Sequence, residues 1–246
     1  MTDLAEHFAR LKWVRGEIRR LDEQVTAYTQ SNPLEVRWSY DLMRANPTRI
    51  YKLHLRDPVP EDISIHAGVI LNEMRAILDA LTVTLAARNG HPDSTNTYFP
   101  TGKTKAGFES RDVQRKIKKL SDQDKATIAA LQPYAGGNDM LYALHSSDLI
   151  RKHQRLIVLG GEAAEMVMGS DGGWFLDGSK IHFINAGPGH PIDQPIAQLA
   201  ADYHIEFKQD AVVAFSEPAA IKAKPLITTL DDFAGLVQSI LKLFVR

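Results

Sequence analysis

Leu4, Phe8, Leu11, Ile18, Leu21 and Val25 recur at helical spacing, and this pattern predicts a long amphipathic first helix. Thr2 is placed to cap its start, and Ser31, Asn32 and Pro33 to stop it. The next run alternates Leu34, Val36, Trp38 and Tyr40 against Glu35, Arg37, Ser39 and Asp41, and Tyr51, Leu53 and Leu55 repeat the alternation. Two such runs predict an antiparallel hairpin with one wet face, opposite the aromatic positions. Pro58 and Pro60 end it. Ala67, Leu71, Met74, Leu78, Leu81 and Leu85 then predict a second long helix, with Asn89-Gly90 as a left-handed stop.

Residues 91–106 are rich in Pro, Ser, Thr, Asn and Gly and read as a loop anchored by Tyr98 and Phe99. Short helices are expected over 107–120 and 122–132, the second capped by Ser121 with Asp124 three residues on. A further helix is expected over 138–155. Beyond it the character changes: glycine pairs bracket short apolar runs, and Asp177-Gly178 has the composition of a two-residue hairpin turn. The segments HIEFK and AVVAFSE read as further strands. A closing helix follows, with Thr229 as its cap and Leu230, Phe233, Val237, Ile240 and Phe244 on one side. Helices first, strands later and one closing helix predict an α+β fold rather than an alternating one. One domain over 1–246 is expected: helix-rich to 155, strand-rich over 156–228, and the closing helix over 229–246.

The bulk composition narrows the function classes. The chain has 246 residues, no cysteine and a formal net charge of -1. Disulfides, thiolate metal sites and cysteine nucleophiles are excluded, and a cytoplasmic protein is the natural expectation. No window approaches the roughly 18 apolar residues that a membrane span needs. The charge balance exerts no global pull on nucleic acid.

Candidate chemistry sits on two predicted helices. Asn72, Arg75 and Asp79 are three and four residues apart, so they share a narrow sector bordering the leucine stripe. That sector is either an exposed ion pair or a partly buried polar cluster. In the second case the arginine must be paired, because an isolated buried charge is costly. His145, Asp148 and Lys152 share a face of the later helix, with His153 beside Lys152. Such a set suits proton transfer or anion binding, and equally a solvated helix face. His145 and Asp148 also have the spacing of two metal ligands, but nothing identifies a third, so no metal and no cofactor is expected. The basic run KTKAGFESRDVQRKIKK lacks interleaved aromatic residues and reads as an exposed face, although it could contact phosphates. No phosphate-binding loop or nucleophile-elbow serine is present.

Gly68, Arg75, Leu78, Asp79 and Leu81, with Lys152-His153, Phe99-Pro100, LQPY at 131–134, Asp177-Gly178 and FSE before the last helix, form a further pattern. It resembles a widespread group of uncharacterised bacterial proteins, common in actinobacteria, with an H-N-L-R-S-x-L-D-x-L helix and a later D-K-H-R segment. The likeness spans nearly the whole chain and implies a fold rather than an activity. The chain departs from that pattern at Val69, Asn72, Glu73, Arg151 and Gln154. Where that group has a helix histidine, Asn72 cannot accept a proton at neutral pH. A more distant likeness is to HEPN-type helical proteins, many of them ribonucleases with an arginine shortly before a histidine. The one spacing match, Arg49 to His54, falls on a predicted strand, and helical architecture alone says little about function.

Three functions follow as expectations. The leading one is a non-enzymatic binding or association protein with an inter-helix polar pocket for a small anionic or polar ligand, formed by Asn72, Arg75, Asp79, His145, Asp148 and Lys152. The second is a hydrolase or HEPN-like ribonuclease using His153 with Arg75 and Lys152. The third is a structural polar network in a homo-oligomer, for instance a homodimer.

Overall fold

The computed structural model describes residues 3–41, 48–150, 157–170, 173–177, 181–186, 195–200 and 204–246. Its framework is a helical bundle. Helix α1 (Ala5–Gln30) packs on α2 (Glu61–Arg88), and α7 (Leu226–Leu243) closes over both. The leucine stripe explains the arrangement: Ala67, Leu71, Met74, Leu78, Leu81 and Leu85 of α2 are all completely buried. Burying a leucine is worth about 2 kcal/mol, so this face alone commits α2 to the centre of the molecule. Gly90, with φ of 81° beside Asn89 at the C-cap, ends α2 as expected.

One correction concerns capping. The closing helix begins four residues earlier than Thr229 as cap implies, at Leu226 after Pro225. Proline presets the backbone for entry into a helix. Thr229 lies inside the first turn, its hydroxyl donating to the Pro225 carbonyl at 2.7 Å. At α5 (Asp122–Ala130) the cap is as expected, with the Ser121 hydroxyl accepting from the Asp124 N–H at 3.1 Å. The same hydroxyl donates to the Asp124 carboxylate at 2.7 Å. Arg246 pairs with that carboxylate at 2.7 Å and ties down the chain end.

Strands β1 (Leu34–Asp41) and β2 (Thr48–Leu55) pair antiparallel as expected, and the register sets Trp38 opposite Tyr51. The face assignment changes along the hairpin. Leu34 and Tyr51 are buried, whereas Trp38 and Tyr40 are 48% and 47% exposed. The Arg49 guanidinium lies 4.9 Å from the Trp38 ring centre and 5.7 Å from that of Tyr40. A stacked cation covers these rings in place of core side chains, which is why the aromatic end need not turn inward.

The later strands also pair differently from expectation. β6 (Pro195–Ala200) joins β2, so the N-terminal hairpin becomes a three-stranded sheet. β3 (Ile157–Ser170) is the hub of the second sheet, antiparallel to β7 (His204–Phe215) along most of its length. It pairs in separate stretches with β4 (Gly173–Asp177) and β5 (Ile181–Ala186). Among the described pairings, β4 and β5 both take β3 as partner rather than each other. The turn expected at Asp177-Gly178 falls on residues 178–180, which lie outside the described residues. HIEFK and the start of AVVAFSE form one continuous β7, which delivers Val213 and Phe215 to the core.

One buried titratable group makes the bundle pH-sensitive. His7 on α1 is almost wholly buried, its Nε2 2.9 Å from the Thr84 hydroxyl of α2. Burial, aided by Arg10, lowers its pKa below the ordinary 6.5. The folded state thus prefers neutral imidazole. Its stabilising contribution is complete above the unfolded pKa and is lost as pH falls through the lowered folded value. Thermal melts of wild type and His7→Gln at about pH 7.5 and about pH 5 should show wild type losing more of its melting temperature on acidification.

Candidate functional site

The polar edge of α2 explains itself once Phe99 is in place. Phe99 is completely buried, so its backbone lies where water cannot satisfy it. Arg75 and Asp79 supply the missing partners. Arg75 Nη2 donates to the Phe99 carbonyl at 2.6 Å, and Asp79 Oδ1 accepts from the Phe99 N–H at 2.8 Å. The two side chains pair with each other at 2.9 Å, and the guanidinium lies 5.7 Å from the Phe99 ring centre. One i,i+4 pair therefore grips both polar groups of a single residue and fastens the 91–104 segment to the central helix. The sequence assigned the anchoring of this segment to Tyr98 as well, but Tyr98 is 48% exposed. Adjacent residues of an extended segment point opposite ways, so burying Phe99 turns Tyr98 outward.

Electrostatics fits a largely dry clamp. Arg75 retains 8% exposure. Burial pulls its pKa down, opposed by Asp79 and Asp148. Burial pushes the Asp79 carboxyl above its usual value, outweighing Arg75 and the Phe99 N–H. Arginine starts so far above neutrality that the guanidinium stays protonated. Asp148, on α6 (Asp139–Ile150), is buried and lies close enough for its charge to act on both members of the pair. Arg75 Nη1 and the Ser147 and Thr101 hydroxyls are buried without a hydrogen-bond partner. The cluster is therefore not a fully satisfied network.

The site residues expected from sequence are thus brought together in part. Arg75, Asp79 and Asp148 form one electrostatic group across α2 and α6. Asn72 is exposed one turn before Arg75, and His145 is half-buried one turn before Asp148. Lys152 and His153 lie outside the described residues. Among the described residues, no group of three acidic or histidine side chains is arranged to hold a metal, and no helix is long and apolar enough to cross a membrane.

Beside the clamp lies a cleft of about 580 Å³ that sequence reasoning missed. Thr95, Asn96, Thr97 and Tyr98 form one wall, and Asp112, Arg115, Lys116, Lys118 and Lys119 the other. The first wall is the segment held by Phe99, turned at Asn96 through a left-handed backbone with φ of 57°, which asparagine tolerates. The second comes from α4 (Arg111–Gln114) and the 3-10 turn Arg115–Ile117 that follows. Ile117 and Leu120 are buried, so this tight turn throws the four intervening and preceding cations outward. The Asn89 side chain donates to the Lys119 carbonyl at 3.0 Å and fixes the end of the turn to the α2 cap. The 102–108 connection is equally tight: a Cβ on Gly102 would lie 2.4 Å from the Phe108 backbone nitrogen. Lys116 links the two regions, because its charge is felt at Asp79.

Among the described residues, none of the four cleft cations forms an ion pair. On a chain of net charge -1 this is a marked segregation of positive charge. The signal was present in sequence as the run RKIKKL, where two apolar anchors interrupt the cations. The run read as an exposed face because the wall opposite it is irregular and has no periodicity. Comparison with protein-family models, curated proteins and solved structures finds no match for this chain.

Proposed function

We propose that the protein is a non-enzymatic binder of a small polyanion, taken up in the basic cleft beside the Arg75–Asp79 clamp. The carrying observation is that four cations, none in an ion pair among the described residues, line a cleft of about 580 Å³ together with hydroxyl and amide side chains. Pockets for small ligands are commonly of this size. Neighbouring like charges repel, so such a cleft lowers stability until a counter-charge fills it. Arg75 and Asp79 act in this reading as the support of one wall, since their polar atoms are spent on Phe99. That separates the binding surface from the residues that hold it.

A thermal-shift titration with tripolyphosphate tests the reading. A ligand that binds only the folded state adds about 2.7 kcal/mol at a hundredfold excess over its Kd, enough to raise the melting temperature by roughly 5–10 °C in a chain of this size. The expected rise grows with ligand concentration and shrinks as salt is added. No rise at low ionic strength, or a rise indifferent to salt, would overturn it.

A further inference from the structure

We propose that the polyanion is a nucleoside diphosphate or triphosphate, with its base on Tyr98 and its phosphates on the cationic wall; this rests on the anion-binding reading above. Three features of the cleft go beyond what a bare phosphate chain would use. Tyr98 is half-exposed and lines the cleft together with the cations, and aromatic rings stack on bases of any identity. Its backbone neighbour Phe99 is gripped on both polar groups, so the ring is held on a fixed support and little is lost in ordering it. Asn96 and Thr95 stand beside Tyr98 with donors and acceptors suited to a base edge.

The charge count agrees. Four cations against Asp112 leave the lining at +3, which suits the roughly three to four negative charges of a nucleoside di- or triphosphate at neutral pH. A dicarboxylate would leave the cations half-neutralised. Asp112, out of place for phosphate alone, can accept from ribose hydroxyls, a role acidic residues commonly take in nucleotide sites. Single-stranded RNA is the less favoured occupant, because among the cleft residues Tyr98 is the only stacking platform and strand binding uses several in succession.

Isothermal titration of wild type and Tyr98→Leu with ADP, GDP, pyrophosphate and a short oligoribonucleotide tests the proposal. Tyr98 makes no hydrogen bond among the described residues, so an unchanged melting temperature is expected for the variant and confirms that it folds. Wild type should bind ADP or GDP at least about tenfold more tightly than pyrophosphate, in line with the energy of one stacked base. Tyr98→Leu should lose that advantage while its pyrophosphate affinity stays the same. Equal affinity for pyrophosphate and nucleotides in wild type overturns the nucleotide assignment and leaves polyanion binding standing. Absence of binding by all four probes overturns both. Affinity that climbs steeply with oligonucleotide length, above that for ADP, overturns the assignment in favour of a nucleic-acid strand.

Discussion

Replacing Arg75 with methionine is expected to destabilise the fold by about 3 kcal/mol, although methionine fills much of the same space. The substitution strips the Phe99 carbonyl of its donor and leaves the Asp79 carboxylate without its cation. Breaking a buried pair from one side costs more than the pair is worth, because the remaining charge keeps its desolvation penalty. The figure sits at the low end of the usual range because Asp79 keeps 29% side-chain exposure. The deficit should also depend on pH in a defined direction. Without Arg75, the Asp79 carboxyl moves further above its usual value, because burial already pushes it up and Arg75 was the chief opposing influence. A carboxyl whose folded pKa is raised is best tolerated below its unfolded value of about 3.9 and becomes a growing liability as pH rises through the folded value. Urea denaturation of both proteins across the acid range should therefore show the gap widening with pH. Arg75→Lys should recover little, since an ammonium cannot reproduce the planar fork between the carbonyl and the carboxylate.

Reversing two cleft charges should do the opposite. Arg115→Glu with Lys118→Glu is expected to weaken tripolyphosphate binding by about a hundredfold or more, which is roughly 2.7 kcal/mol. Each lost charge-assisted contact is worth about 1.5–3 kcal/mol, and each new carboxylate repels the ligand. Both residues are exposed and neither has an ion-pair partner among the described residues, so stability should change by less than about 1 kcal/mol. It should shift in the favourable direction, because the reversal relieves repulsion among the four cations. Titration calorimetry and urea melts on the same samples measure both quantities. The two variants together separate support from binding: Arg75→Met lowers stability first, whereas the charge reversal lowers affinity alone.

The helical half of the fold was legible because its signal is local. The α2 stripe repeats often enough that one periodicity fits and no other does, and its completely buried leucines follow directly. Thr229 was misread as a cap because a threonine before an apolar run has that composition whether its hydroxyl serves the helix start or, as here, a carbonyl one turn back. Strand pairing was less legible, since β6 on β2 and both short strands on β3 are choices among distant edges. The candidate site divides along the same line. Arg75 and Asp79 could be singled out because they share a helix edge. Their purpose could not, because Phe99 meets them across a loop whose path no periodicity encodes. The cleft is the extreme case: one wall is a turn and the other an irregular segment.

The most direct test of the account is backbone amide chemical-shift mapping of the ¹⁵N-labelled protein during titration with tripolyphosphate. Perturbations confined to residues 95–98 and 112–119, with Phe99 and the α2 amides near Arg75 and Asp79 little changed, are the predicted result. Perturbations centred on Arg75, Asp79 and Asp148 instead, or none at saturating ligand, would contradict it.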